Sequence, residues 1–152
     1  MSDIDPLNPT AQQPIIRVSG LRVEFETDDG VVAGVKDVSF EIAPGETLCV
    51  VGENGSGKSV TSLSILRLIE FGGGRIAAGA LEFARESGDV IDLASASGDV
   101  MQSIRGNEIG MIFQEPMTSL NPVFTVERQL TDGLRRHRGL AGEDARTRAL
   151  EL

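Results

Sequence analysis

Tryptophan and tyrosine are absent from these 152 residues, cysteine occurs once, and lysine stands only at Lys36 and Lys58. A lone Cys49 excludes a disulfide framework and suits a reducing compartment. Set in an apolar run, it reads as a small buried hydrophobe. No apolar stretch approaches the roughly 20 residues needed to cross a bilayer, so no transmembrane segment is expected. Positive charge is scarce as well. The 14 Lys and Arg residues against 23 Asp and Glu leave a net charge of −9, which excludes the basic face of a nucleic-acid binder. The one cationic cluster, Arg135-Arg136-His137-Arg138, reads as a solvated helix end, where cations suit the dipole. Residues 1–14 are polar, acidic and Pro-containing, without the basic and apolar regions of a signal peptide. They read as a disordered tail ahead of an ordered chain that starts at Ile15. A hydrophobic content of 40% over this length is enough for one domain with a core.

The chain does contain a complete G-x-x-x-x-G-K-[ST] phosphate-binding loop, Gly52-Glu53-Asn54-Gly55-Ser56-Gly57-Lys58-Ser59. The apolar run Thr47–Val51 before it reads as a buried strand. The stretch Val60–Glu70 after it carries Leu63, Leu66 and Ile69 at helical spacing. A strand–loop–helix setting is what gives the pattern its meaning. Glycines let the backbone take angles closed to other residues and come close to a ligand. Successive N–H groups then form an anion nest at a helix N-terminus, where the macrodipole also favours negative charge. Lys58 adds a mobile cation for β- and γ-phosphates, and the Ser59 hydroxyl is placed to ligate Mg²⁺.

Around the loop the patterning predicts an α/β order of elements. Ile15–Val18, the alternating Leu21–Phe25 and the run Val31–Ile42 read as strands around the turn signal Thr27–Gly30. Pro44-Gly45-Glu46 is a tight turn and Phe71–Arg75 a flexible break. Ala80–Phe83 and Val90–Leu93 flank Ser87-Gly88-Asp89 as an antiparallel hairpin. Ser97 is placed to cap a helix to about Arg105, and Thr125 one from Val126 to about His137. Ile109–Phe113 reads as another buried strand, followed by a loop with two prolines. Glu143–Leu152 reads as a helix that stops mid-pattern, which suggests an incomplete chain.

The stretch from Ile104 to Pro122 narrows the reading. A strand ending in Phe113-Gln114 beyond a phosphate loop resembles the Q-loop of ABC-transporter ATPases. The string Met111-Ile112-Phe113-Gln114-Glu115-Pro116-Met117-Thr118-Ser119-Leu120-Asn121-Pro122 is similar to the dipeptide/oligopeptide/nickel importer subfamily in particular. So is Gly45-Glu46-Thr47 leading into the loop and Val60. The resemblance implies a P-loop NTPase fold of the ABC nucleotide-binding type with an antiparallel β subdomain. It implies ATP and Mg²⁺ as ligands, with Gln114 reaching the metal and the attacking water; an amide carbonyl can ligate a hard cation while its NH₂ donates. Residues Gly52–Val60 would hold the nucleotide. The family stacks adenine on an aromatic near the first strands; here that falls to Phe25, with a core place in an alternating strand as the equal alternative.

The same resemblance implies partners and a setting. Transmembrane permease subunits would contact Gln114–Pro122, and a second ATP-binding subunit, identical or not, would complete a dimer at the cytoplasmic face of the inner membrane. Import of peptides or related small solutes is then the expected role. The Walker B strand, the signature and the switch histidine of that family are not among these residues. His137, the only histidine, lies ahead of where they should come and is not assigned the switch role. The ordered chain, 15–152, is therefore expected to be an N-terminal part of such a domain, cut before the helical subdomain is complete, and not competent for turnover alone. A non-hydrolysing nucleotide-binding fragment of a truncated or decayed gene is the alternative; a soluble relative acting in translation or DNA repair is a second.

Overall fold

The computed structural model describes residues 13–114 and 120–152, and they form two compact units divided after Met101. The tail expected over residues 1–14 lies, but for its last two residues, outside the described part.

In the first unit, β1 (Ile16–Thr27), β2 (Gly30–Ile42), β3 (Gly74–Ala84) and β4 (Val90–Asp92) build one antiparallel sheet in the order β2-β1-β3-β4. The two short runs expected at Ile15–Val18 and Leu21–Phe25 are one strand with a bulge. Opposite Gly20 and Leu21, β3 offers only Gly79, and β2 adds Asp37 between the pairs Leu21–Val38 and Arg22–Lys36. The bulge shifts the side-chain phase, so Val18, Leu21 and Val23 all point inward and are buried. They pack with Val35, Leu81 and Phe83 as the core. Outward, Arg17 ties β1 to both neighbours through Glu41 (2.8 Å) and Glu82 (3.2 Å). Glu24 bridges Arg22 and Arg75. The Arg22 hydrogen bond, aided by the charge of Arg75, holds the Glu24 carboxyl below the usual carboxylate range against partial burial.

The bulge is strained at one point: Asp37 takes φ 135°, a region that favours glycine. Asp37→Gly is expected to stabilise the fold by about 1 kcal/mol, raising the thermal midpoint by about 3 °C. A lower midpoint in a thermal scan would show that the aspartate side chain contributes more than the strain costs.

Helix α1 (Lys58–Ile65) lies against β1 and β2. It is shorter than the helical spacing suggested. Arg67 adopts a left-handed conformation (φ 52°) and its guanidinium reaches Glu70 (2.7 Å) and the Ala96 carbonyl (2.5 Å). These anchors turn the chain into a 3-10 helix, Leu68–Gly72, that buries Ile69 against β3. The break expected at Phe71–Arg75 is thus structured, and β3 starts inside it at Gly74. Thr47–Val51 departs most from expectation: it pairs with no described strand, and Leu48, Val50 and Val51 are exposed, Val51 at 84%. Cys49 is exposed with them, not buried.

Helix α2 (Gly98–Ile104) starts in the first unit, where the Ser97 hydroxyl accepts from Val100 N–H at 3.4 Å. In the second unit, Ile109–Phe113 is likewise not a strand. Its only ladder contact is a single bridge between Arg105 and Ile109, and Ile112 is 96% exposed. Helices α3 (Val126–Arg138) and α4 (Gly142–Glu151) pack on each other, with Ala145 and Thr131 buried and Arg146 paired to Glu127 at 3.3 Å. Thr125 caps α3 as expected, accepting from Arg128 N–H at 3.2 Å.

Candidate functional site

The phosphate-binding pattern folds as a loop that ends on the N-terminus of α1. Its first turn is local: Ser56 N–H donates to Glu53 O at 3.2 Å, and Gly55 has φ 82°. Gly57 is the N-cap of α1 at φ 93°, and no side chain caps the helix. The first intrahelical bond is Thr61 N–H to Gly57 O at 2.8 Å. The backbone N–H groups ahead of it are those a helix leaves without an internal partner, and they carry the positive end of the dipole.

What seats this loop is β2. A bulge between the pairs Val23–Val35 and Glu24–Ala33 leaves Gly34 as the extra residue. A Cβ on Gly57 would fall 2.7 Å from the Gly34 carbonyl oxygen, so the loop rests backbone-to-backbone on the strand. A lone glycine inside a strand pattern signals a bulge or a close approach, and that signal was available in the sequence.

Lys58 folds back across the loop. Its ammonium donates to the carbonyls of Gly52 (2.7 Å) and Glu53 (2.6 Å), with Ser56 Oγ at 3.4 Å. Ser59 is exposed in the first turn of α1, and Val60 is half-buried beside the sheet. Gly52, Glu53, Asn54, Gly55 and Ser56 are all exposed. The structure therefore brings together an open run of backbone donors, one cation held across the loop and one hydroxyl, which is the chemistry an oligophosphate needs. Among the described residues no cluster of His, Cys, Asp and Glu could hold a metal by itself. A cleft of about 390 Å³ lined by Lys58, Ser59, Thr61 and Ser62 is otherwise walled by the apolar Phe40, Ile42, Leu48, Val50 and Ile65.

Phe25 follows Leu21 and Val23 on the inner face of β1. Its half-buried ring fills the space left by two glycines: a Cβ would come 2.7 Å from Cε2 at Gly34 and 2.6 Å from Cε1 at Gly74. The ring thus has a packing role beneath the phosphate loop. Gln114 is exposed after the irregular segment 111–113 and belongs to the second unit, whereas the loop belongs to the first. Of the segment Gln114–Pro122, residues 115–119 lie outside the described part. His137 packs against Gly106 and stands apart from the loop's residues in the sequence; the pattern gives it no role.

Comparison with known proteins agrees with this arrangement. The family model described as ABC transporter matches residues 35–151, and the chain belongs to that family. Curated relatives named for peptide import and ATP binding, from Brucella abortus and Brucella melitensis, are 49% identical over 142 residues, 93% of this chain. A second Brucella melitensis protein of the same name is 50% identical over 139 residues. The chain spans 42% of the length of the first two and 40% of the third. Among solved structures, the ATP-binding cassette MJ0796, in a dimeric post-hydrolysis state bound to ADP and Pi, superposes with a TM-score of 0.71 at 25% identity. That match covers 90% of this chain and 54% of the other. The fold is the P-loop NTPase cassette with its antiparallel β subdomain.

Proposed function

We propose that the chain binds ATP with Mg²⁺ at Gly52–Val60 and is part of the ATP-binding subunit of a peptide-type ABC importer. The observation that carries this is the phosphate loop itself: an uncapped helix N-terminus pressed onto the Gly34 carbonyl, with the Lys58 ammonium folded across its mouth. Gly52, Glu53, Asn54, Gly55 and Gly57 offer backbone donors to phosphate oxygens, and Ser56, whose N–H closes the turn on Glu53 O, holds the loop between them. Lys58 supplies the charge for the β- and γ-phosphates, and Ser59 and Gln114 are the side chains that would ligate Mg²⁺. A bound Mg²⁺, held by Ser59 and Gln114, would supply charge neutralisation on the phosphate oxygens. Gln114 orients the attacking water. Phe25 is the residue for the adenine face, a role its packing between Gly34 and Gly74 makes secondary.

Residues 15–152 are, in this reading, a partial nucleotide-binding domain that carries the Walker A loop and the Q-loop. Steady turnover and transport belong to the complete protein, in which ATP closes a dimer of two such subunits and hydrolysis resets it. Permease subunits dock at Gln114–Pro122, which places the assembly at the cytoplasmic face of the inner membrane; no described helix is long and apolar enough to cross it. The relatives' names and the segment Gln114–Pro122 favour peptides or similar small solutes. Affinity purification of the tagged full-length protein from solubilised membranes is expected to bring down multi-span membrane subunits. Recovery with ribosomes or with DNA-repair proteins instead would point to a soluble relative.

A further inference from the structure

Helix α1 has no side-chain cap at its N-terminus, no acidic residue in its first turn and no basic residue in its last. Its N-terminus is seated by the contact of Gly57 with Gly34, and its far end is held from beyond the helix. Just past that end the chain turns through a left-handed Arg67 (φ 52°), whose N–H donates to the Ser64 carbonyl at 2.9 Å. The 3-10 helix that follows ends in the same conformation at Gly73 (φ 76°), where glycine makes the turn without strain. An arginine in that conformation costs backbone strain, which persists where the surroundings put the residue to use. The Arg67 side chain is used twice. Nε donates to Glu70 at 2.7 Å and Nη1 to the Ala96 carbonyl at 2.5 Å, and only 20% of the side chain is exposed. The anchor point is itself fixed. Asp92 Oδ1 accepts from the N–H groups of Leu81 (3.0 Å) and Ala94 (3.1 Å), and Oδ2 accepts from the Ser95 hydroxyl (2.9 Å). Leu81 is fully buried in β3, so the loop that carries the Ala96 carbonyl is tied to the core of the sheet.

We infer that Arg67 is a positioning residue for phosphate binding. Clamped by Gly57 on β2 at one end and by Arg67 on the Ala96 loop at the other, α1 cannot pivot, and the N–H groups at its N-terminus keep one direction. Donors in an anion nest act only when they are aligned, so a side chain beyond the far end of α1 governs how well phosphates are held at the near end. This inference rests on the reading of Gly52–Val60 as the phosphate site. Arg67→Lys leaves one ammonium to serve either Glu70 or the Ala96 carbonyl, without the fork that serves both. Arg67→Gly keeps the turn, relieves the strain and removes the clamp.

The test is equilibrium titration of the full-length protein with AMP and with ATP in the presence of Mg²⁺, beside a thermal scan of each variant. Arg67→Gly is expected to keep its thermal midpoint within about 3 °C of the wild type, because relief of the strain offsets the lost contacts. Its gain in affinity from AMP to ATP is expected to fall about tenfold, near the net worth of one hydrogen bond to a charged group. Arg67→Lys is expected to lie between Arg67→Gly and the wild type. Asp92→Ala, which frees the anchor instead of the clamp, is expected to act in the same direction, and less than additively with Arg67→Gly. A wild-type gain in Arg67→Gly would overturn the role of Arg67 and leave the phosphate site standing. So would a midpoint lowered by about 8 °C or more with affinity for both nucleotides reduced alike, the result a merely structural residue gives. A wild type that binds AMP and ATP equally would overturn the phosphate site and this inference together.

Discussion

Lys58→Ala is expected to reduce solute uptake by the proposed importer to background, a loss of at least about a hundredfold. The reasoning is electrostatic and specific to this geometry. The ammonium is held by the Gly52 and Glu53 carbonyls, so it is already ordered across the loop when a nucleotide arrives. Charge that is positioned beforehand costs no reorganisation as negative charge develops on the transferring phosphoryl group. Lys58→Arg is expected to be nearly as damaging, because two carbonyls less than 3 Å from one nitrogen suit a compact ammonium and not a planar fork. Uptake of labelled peptide by cells carrying each variant is the measurement. Unimpaired uptake in Lys58→Ala would remove the phosphate loop from the mechanism.

Gly57→Ala is expected to have the second largest effect and by a different route. The added Cβ would lie 2.7 Å from a backbone oxygen, which cannot swing away, at a residue whose φ of 93° is closed to alanine. The combined strain and overpacking should cost about 2–4 kcal/mol. The loop would lift off β2, and nucleotide affinity should fall by at least about a hundredfold, since nest donors act only when aligned. Gly55→Ala is the control. It shares the positive φ (82°), but a Cβ there meets nothing within 4 Å, so it should show only the backbone term, about 1 kcal/mol. Equal effects in denaturant titrations of the two variants would show that the contact with Gly34 is not what seats the loop.

How much of this was legible in the sequence follows from where the decisive forces act. The phosphate loop, the β1–β2 hairpin and the Thr125 cap are written in local chemistry, and they stand where the patterns put them. Thr47–Val51 and Ile109–Phe113 have strand composition, but a strand also needs a neighbour to complete its ladder. Among the described residues Thr47–Val51 pairs with no strand, and Ile109–Phe113 has only the single bridge from Ile109 to Arg105. Cys49 shares that fate. The early end of α1 was hidden for the opposite reason: Arg67 is held by Glu70 and Ala96, and tertiary anchors override helix propensity. Phe25 reads ambiguously in sequence because an alternating strand and a base-stacking site can both carry a Phe there; the glycines on either side show that it packs. Gly34 carried a readable signal.

The most direct test is equilibrium titration of the protein with ATP, ADP and AMP in the presence of Mg²⁺, alongside Lys58→Ala. If the loop reads phosphates, affinity should rise steeply from AMP to ADP to ATP, and Lys58→Ala should remove most of the gain between AMP and ATP. Equal affinity for the three nucleotides, or a Lys58→Ala protein that binds ATP like the wild type, would contradict the account.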